Sequence, residues 1–187
     1  MGKSHPSIPG IPSLPGIPAG NFTDNYNRSD GGVGANYEDI EGAATISSNK
    51  VVYSGTARVI AGSGVGADYW SQAVITPSLG AAGVLCRDDS VPAGSQTYYL
   101  AYLSATEIKL FKRVSGTFTL LGSVGSVNTS ATVKCDVVGT TIRALVDGVE
   151  KVSVTDSAIS TAAYPGIYVY DNGGESLDNF ETNGRRV

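Results

Sequence analysis

Residues 141–156 read TIRALVDGVEKVSVTD, two runs of alternating apolar and polar residues joined by Asp147-Gly148. Alternation with period two marks a strand with one buried face, and Asp-Gly between two such runs makes a two-residue hairpin turn. The pattern recurs along the chain from Phe22. AATIS, NKVVYS, TARVIA, YWSQAVITP, AAGVLCR, QTYYLAYLS, EIKLFKRV, GTFTLLGSV, ATVKCDVVG, PGIYVYD and ESLDNFET succeed one another, divided by Gly, Pro, Ser, Asn and Asp. Turn signals at intervals of roughly eight to twelve residues imply many short antiparallel strands. No window carries a capped apolar repeat of helical period. With 24 glycines, one Met and one Trp in 187 residues, turn and strand formers dominate. The fold class is therefore all-β, a two-sheet antiparallel sandwich of one domain.

Alternation also assigns faces. Ile142, Ala144 and Val146 share an inward face, as do Ile108 and Leu110, and Ile167 and Val169. Cys135, in phase with Val133 and Val137, points into the core. Glu107, Lys109, Phe111 and Arg113 oppose Ile108 and Leu110, and Tyr168 and Tyr170 look outward.

Residues 1–21 differ in kind. They contain SIPGIPSLPGIPAGN and five of the eight prolines. Proline fixes its own φ and extends the residue before it, so this block is expected to be a polyproline-II-like arm. Ile8, Pro9, Ile11, Pro12, Leu14, Pro15, Ile17 and Pro18 make it apolar, which suits docking on a partner better than spacing, although a plain linker is the alternative. The expected organisation is an arm over 1–21, a sandwich over 22–182 and a tail over 183–187.

The net charge is −4, with Lys and Arg scattered singly. Without a basic patch, neither nucleic acid nor an anionic membrane is an expected partner. No stretch approaches the ~20 apolar residues of a membrane span. Prolines interrupt the apolar part of the N-terminus, so no signal peptide is expected and synthesis begins in the cytoplasm. The single histidine, His5, lies in the arm, which excludes Ser/His/Asp and Cys/His catalytic sets. Cys86 and Cys135 are the only thiols; two buried reduced cysteines and a disulfide are both open, and a structural zinc site is not. AGSGVGADYW holds G-x-G-x-G but no following helix, so it reads as an inter-strand loop.

The order DNYNRSDGGVGANYE, ISSNKVVYSG, AGVLCRDD, YYLAYLSATEIKLFKRVSGTFTLLGS, VDGVEKVSVTDS, PGIYVY and LDNFE resembles the concanavalin A-like, laminin-G-like jelly-roll superfamily. The match is to the subgroup found in bacteriophage virion proteins and secreted bacterial modules. The resemblance implies a jelly roll over about 22–182 whose first and last strands, FTDNYN and LDNFE, lie side by side. Glucanases of this superfamily carry Glu-x-Asp-x-Glu on one strand face. Here YEDIEG offers only Asp39 and Glu41 on a shared side, in an edge region, so the chain is expected not to be an enzyme. Laminin-G-like relatives imply calcium at oxygen-rich loops, for which Asp88, Asp89 and Asp171, with Asn172 and Glu175, are weak candidates; otherwise no cofactor is expected. Carbohydrate binding, the superfamily's other habit, needs aromatic faces, offered by Tyr98, Tyr99, Tyr102, Tyr168, Tyr170 and Trp70.

Two readings follow. The first is a virion structural protein, most concretely a bacteriophage capsid decoration (cement) protein at the virion surface. It would attach through the arm to a major capsid or other virion protein, preferably as a homotrimer. The alternative is a lectin-like, carbohydrate-binding module of a phage tail or secreted protein, recognising glycan through Tyr98, Tyr102, Tyr168 and Tyr170.

Overall fold

The structure is a computed structural model that describes residues 21–53, 55–61, 65–125, 130–161, 164–170 and 174–184. The arm residues Ile8 to Pro18, and Asp171 and Asn172, lie outside them. The described residues hold sixteen strands and no helix. In chain order they are β1 (Asn21–Asp24), β2 (Gly31–Gly32), β3 (Tyr37–Glu41), β4 (Thr45–Ser47), β5 (Lys50–Val52), β6 (Thr56–Ala61), β7 (Tyr69–Thr76) and β8 (Ala81–Asp88). There follow β9 (Tyr98–Ser104), β10 (Glu107–Val114), β11 (Thr117–Gly125), β12 (Ala131–Val138), β13 (Thr141–Val146), β14 (Val149–Thr155), β15 (Tyr164–Tyr170) and β16 (Ser176–Gly184).

They form two antiparallel sheets. One runs β14-β13-β12-β7-β16-β5-β4-β2, with β1 also paired to β16; the other runs β11-β10-β9-β8-β15-β6-β3. Neighbours such as β8 and β15 are remote in sequence, which is the jelly-roll topology the segment order implies. The first and last strands do lie together, with Phe22 opposite Thr182 and Asp24 opposite Phe180.

The core is the set of inward residues that alternation marks. Ile108, Leu110, Val133, Val137, Ile142, Ala144, Ile167 and Val169 are fully buried between the sheets. Cys86 and Cys135 are both free and buried, and the Cys86 thiol donates to the Cys135 carbonyl at 3.3 Å. Burying such alternating faces, at about 25 cal/mol per Å² of apolar area, drives the two sheets together.

Local turn chemistry sets the hairpins. Asp147 (φ 49°) and Gly148 (φ 78°) join β13 to β14, and Ser115 (φ 46°) and Gly116 (φ 82°) join β10 to β11. Two successive positive φ values give the turn whose twist matches that of the strands. At the Asp147 turn the backbone N–H of Thr132 donates to the Asp147 carboxylate at 2.8 Å, tying the hairpin to β12.

Candidate functional site

The outer face of the seven-stranded sheet carries an apolar, aromatic cluster. Strand alternation turns Tyr98, Leu100 and Tyr102 of β9 outward, with Leu85 of β8, Phe111 and Arg113 of β10, Phe118 and Leu120 of β11, Tyr168 of β15 and Arg58 of β6. In register, Leu100 stands opposite Leu85 on one side and Phe111 on the other. Leu85, Leu100, Tyr98 and Tyr168 form a buried cluster of their own, with Tyr102 and Phe111 packed against it.

Five rings close a circuit around this cluster. Centroid separations are 6.1 Å for Phe118–Tyr98, 6.4 Å for Tyr98–Tyr168, 6.2 Å for Tyr168–Tyr102, 6.0 Å for Tyr102–Phe111 and 5.8 Å for Phe111–Phe118. The pairs are tilted or edge-on, as ring quadrupoles prefer, and each adds about 0.5–1.5 kcal/mol beyond area burial. Gly83 makes the circuit fit. It stands opposite both Tyr102 and Tyr168, and a Cβ there would lie 2.4 Å from the Ala101 carbonyl oxygen and 2.6 Å from Leu100 Cδ1.

One border of the face is polar and closed. Arg58 and Asp88 are wholly buried, with Arg58 Nη1 donating to both carboxylate oxygens at 2.7 and 2.8 Å and Nη2 to the Val91 carbonyl. The Arg58 guanidinium also lies 5.5 Å from the Tyr98 centroid. Burial pushes the Asp88 carboxyl up to about 6 against the opposing pull of Arg58. Gln96, fully buried, donates to Glu41 at 3.0 Å and accepts from Gly94 N–H at 3.0 Å. These bonds fold the loop between β8 and β9 over that border.

The other border is open. Phe118 is 43% and Leu120 51% exposed; Tyr102, Phe111 and Arg113 are half-buried. Arg113 lies 4.6 Å from the Phe118 centroid and donates to the Gly116 carbonyl at 3.0 Å and to the Tyr98 hydroxyl at 3.3 Å. Burial raises the Tyr98 phenol, opposed by Arg113. Burial, with Tyr170 and Glu175 nearby, raises Tyr102 to about 12, so its phenol is neutral at pH 7.

The sequence-predicted residues divide. Tyr98, Tyr102 and Tyr168 come together, but Tyr98 and Tyr168 are buried in the ring circuit, so they support the face more than they present it. Tyr170, 45% exposed, sits at the end of β15. Tyr99 faces the core instead, donating to Asp156 at 2.7 Å. Trp70 is on the other sheet, with Lys134 Nζ 4.1 Å above its ring. Phe111 and Phe118 join this face beyond the tyrosines, and the alternation of EIKLFKRV and GTFTLLGSV is the sequence signal for them.

Asp39 and Glu41 do not share a side. A bulge lies between them, so Asp39 pairs with Val59 and Glu41 with Arg58, one register position on. Asp39 accepts from Ala44 N–H at 3.1 Å, while Glu41 turns toward Gln96 on the aromatic face. As for calcium, Asp88 is committed to Arg58, and Asp89 accepts from Val91 N–H at 3.1 Å within its own loop. Among the described residues no group of three or more His, Cys, Asp or Glu is arranged to hold a metal ion. Elsewhere, a depression of about 400 Å³ lies between β1 and β16, where Arg28 engages Asp24 and Gln72 engages Glu181.

No protein-family model matches the chain, and no curated protein matches it in sequence. Solved structures do. The carbohydrate-binding module CBM66 from Bacillus subtilis superposes with a TM-score of 0.64 at 19% identity, covering 77% of this chain and 91% of that one. The exoplasmic/lumenal domain of VIP36, solved with Ca²⁺ and Man2, gives 0.63 at 11% identity over 89% and 88%. The Crh5 transglycosylase gives 0.62 at 10% identity over 94% and 89%. At such identities the likeness is one of fold. It corrects the expectation that the chain is not an enzyme. A transglycosylase shares the scaffold, so the fold is compatible with catalysis and does not exclude it. Sheet order, strand pairing and these superpositions agree, and the chain folds as a concanavalin A-like jelly-roll sandwich.

Proposed function

We propose that the chain is a carbohydrate-binding protein that receives glycan on the outer face of its seven-stranded sheet. The observation that carries this reading is the open border of that face. There Phe118, Phe111 and Tyr102 present half-buried or exposed ring surface beside the anchored guanidinium of Arg113 and the Tyr102 phenol. Sugar rings stack their C–H faces on such surfaces while nearby polar groups orient the hydroxyls. The rigid circuit beneath keeps the platform from reorganising on binding, which limits the entropy lost. The CBM66 and VIP36 likenesses support the same reading at the level of fold.

Affinity electrophoresis against a panel of neutral and acidic polysaccharides tests it. The wild-type chain is expected to be retarded by at least one polymer. Phe118→Ala and Tyr102→Ala are each expected to weaken that binding about tenfold, or ~1.4 kcal/mol. Leu79→Ala, at an 83% exposed residue preceding β8, should leave it unchanged. Retardation by no polymer, or unaltered retardation in a Phe118→Ala/Tyr102→Ala chain, overturns the proposal.

A further inference from the structure

Arg113, half-buried, is held at three points. Its Nε donates to the Gly116 carbonyl at 3.0 Å, its Nη1 to the Tyr98 hydroxyl at 3.3 Å, and its guanidinium carbon lies 4.6 Å from the Phe118 ring centre. The turn that supplies this carbonyl is fixed in its own right. Gly116 has φ +82°, and its N–H donates to the Gln96 carbonyl at 2.9 Å. A cation normally acquires such restraint together with a counterion. Arg113 has none: among the described residues it forms no ion pair.

Its neighbours on the same outer face are neutralised. Arg58 is paired with Asp88 at 2.7 Å and Lys109 with Glu107 at 2.7 Å. Glu41 lies on β3, with β9, β8, β15 and β6 between it and the strand of Arg113, and Gln96 binds it. Among the described residues, the open border thus carries an oriented guanidinium with no ion-pair partner, in a chain whose net charge is −4. A guanidinium stacked on a ring and anchored at Nε and Nη1 keeps donors of its planar fork for an incoming anion, and that fork matches an oxyanion in geometry as well as charge.

We propose that Arg113 receives the anionic group of an acidic glycan, a carboxylate or sulfate carried on the sugar, while the rings of Phe118 and Phe111 take the sugar face. This deepens the carbohydrate-binding reading and rests on it. A preorganised side chain loses little freedom on binding, so the charge contributes to discrimination between acidic and neutral polymers more than to overall affinity.

The test uses the full chain and matched polymer pairs: polygalacturonate against neutral galactan, and a sulfated galactan against its desulfated form. Titrations are run at 50 and 300 mM salt. At least one anionic polymer is expected to bind about tenfold more tightly than its neutral partner at low salt, with the gap narrowing at 300 mM. Arg113→Gln should close that gap, weakening the anionic polymer about tenfold more than it weakens the neutral one. Arg113→Lys, which keeps the charge and loses the fork, should retain only part of it and guards against a folding defect in the first variant. Which pair shows the gap identifies carboxylate or sulfate. Equal binding of anionic and neutral polymers, or a gap that persists in Arg113→Gln, overturns the assignment to Arg113 and leaves the carbohydrate reading standing. Binding to none of the four polymers overturns this inference, and failure across the wider neutral and acidic panel overturns both.

Discussion

At the scale of single residues, charge burial decides most. Arg58 and Asp88 are fully buried and paired through Arg58 Nη1, with Ser90 N–H adding a bond to the carboxylate at 2.7 Å and Arg58 Nε left without a partner. Removing one partner strands the other. Arg58→Met is expected to destabilise the protein by about 3–5 kcal/mol in urea unfolding, and the Arg58→Met/Asp88→Leu chain by less than either single variant. A double variant as unstable as the sum of the singles would mean that the two charges do not act as a pair. Asp156 behaves differently. Burial pushes its carboxyl up, but bonds from the Lys112 ammonium, the Tyr99 hydroxyl and Ala158 N–H outweigh this and hold it below the usual carboxylate range. With the folded pKa below the unfolded one, its stabilisation is present above about pH 4 and is lost as pH falls through the folded value. Asp156→Asn should therefore lower the thermal midpoint at pH 7 and flatten the fall in stability below about pH 4. An unchanged acid limb would show that Asp156 is not linked to folding.

At the scale of elements, the face is shaped by two loops that lock onto one another. The loop after β8 is pinned by Asp88, Arg58 and Gln96, and Gly116 of the β10–β11 turn packs directly beneath it. A Cβ on Gly116 would lie 2.2 Å from the Gly94 carbonyl oxygen, and its φ of +82° already disfavours any other residue. Gly116→Ala must move one loop or the other, because the obstacle is backbone. It is expected to cost at least about 1–3 kcal/mol and to raise amide exchange in residues 89–97 while β12–β14 stay protected. Uniform protection in both regions would show that the contact is slack. The same junction sets Arg113, so this variant should also weaken glycan binding.

At the scale of the molecule, the termini of the sandwich are stitched together by β1. Phe22 packs on Tyr37 at 5.8 Å and on Phe180 at 6.2 Å, joining the first strand to both sheets. A chain beginning at Asn25 is therefore expected to be about 3 kcal/mol less stable than one beginning at Asn21, read from urea midpoints. Equal midpoints would make β1 an ornament of the sheet.

Much of this architecture was legible in the sequence. The alternation of TIRALVD and GIYVYD named the core faces, and Asp147-Gly148 named a hairpin, because side-chain period and turn conformation are local properties of the chain. The site was only half legible. That Tyr168 and Phe111 leave the core follows from their own strands. That they belong to one ring circuit depends on β8 lying between β9 and β15, a pairing between segments far apart in sequence. The bulge that parts Asp39 from Glu41 and the Arg58–Asp88 pair, 30 residues apart, are likewise products of inter-strand register. Sequence alone determined what each strand buries, because burial follows from period and hydrophobicity. Only the tertiary structure decided which outward faces meet, because adjacency in a sheet is set by topology and register, which no local pattern encodes.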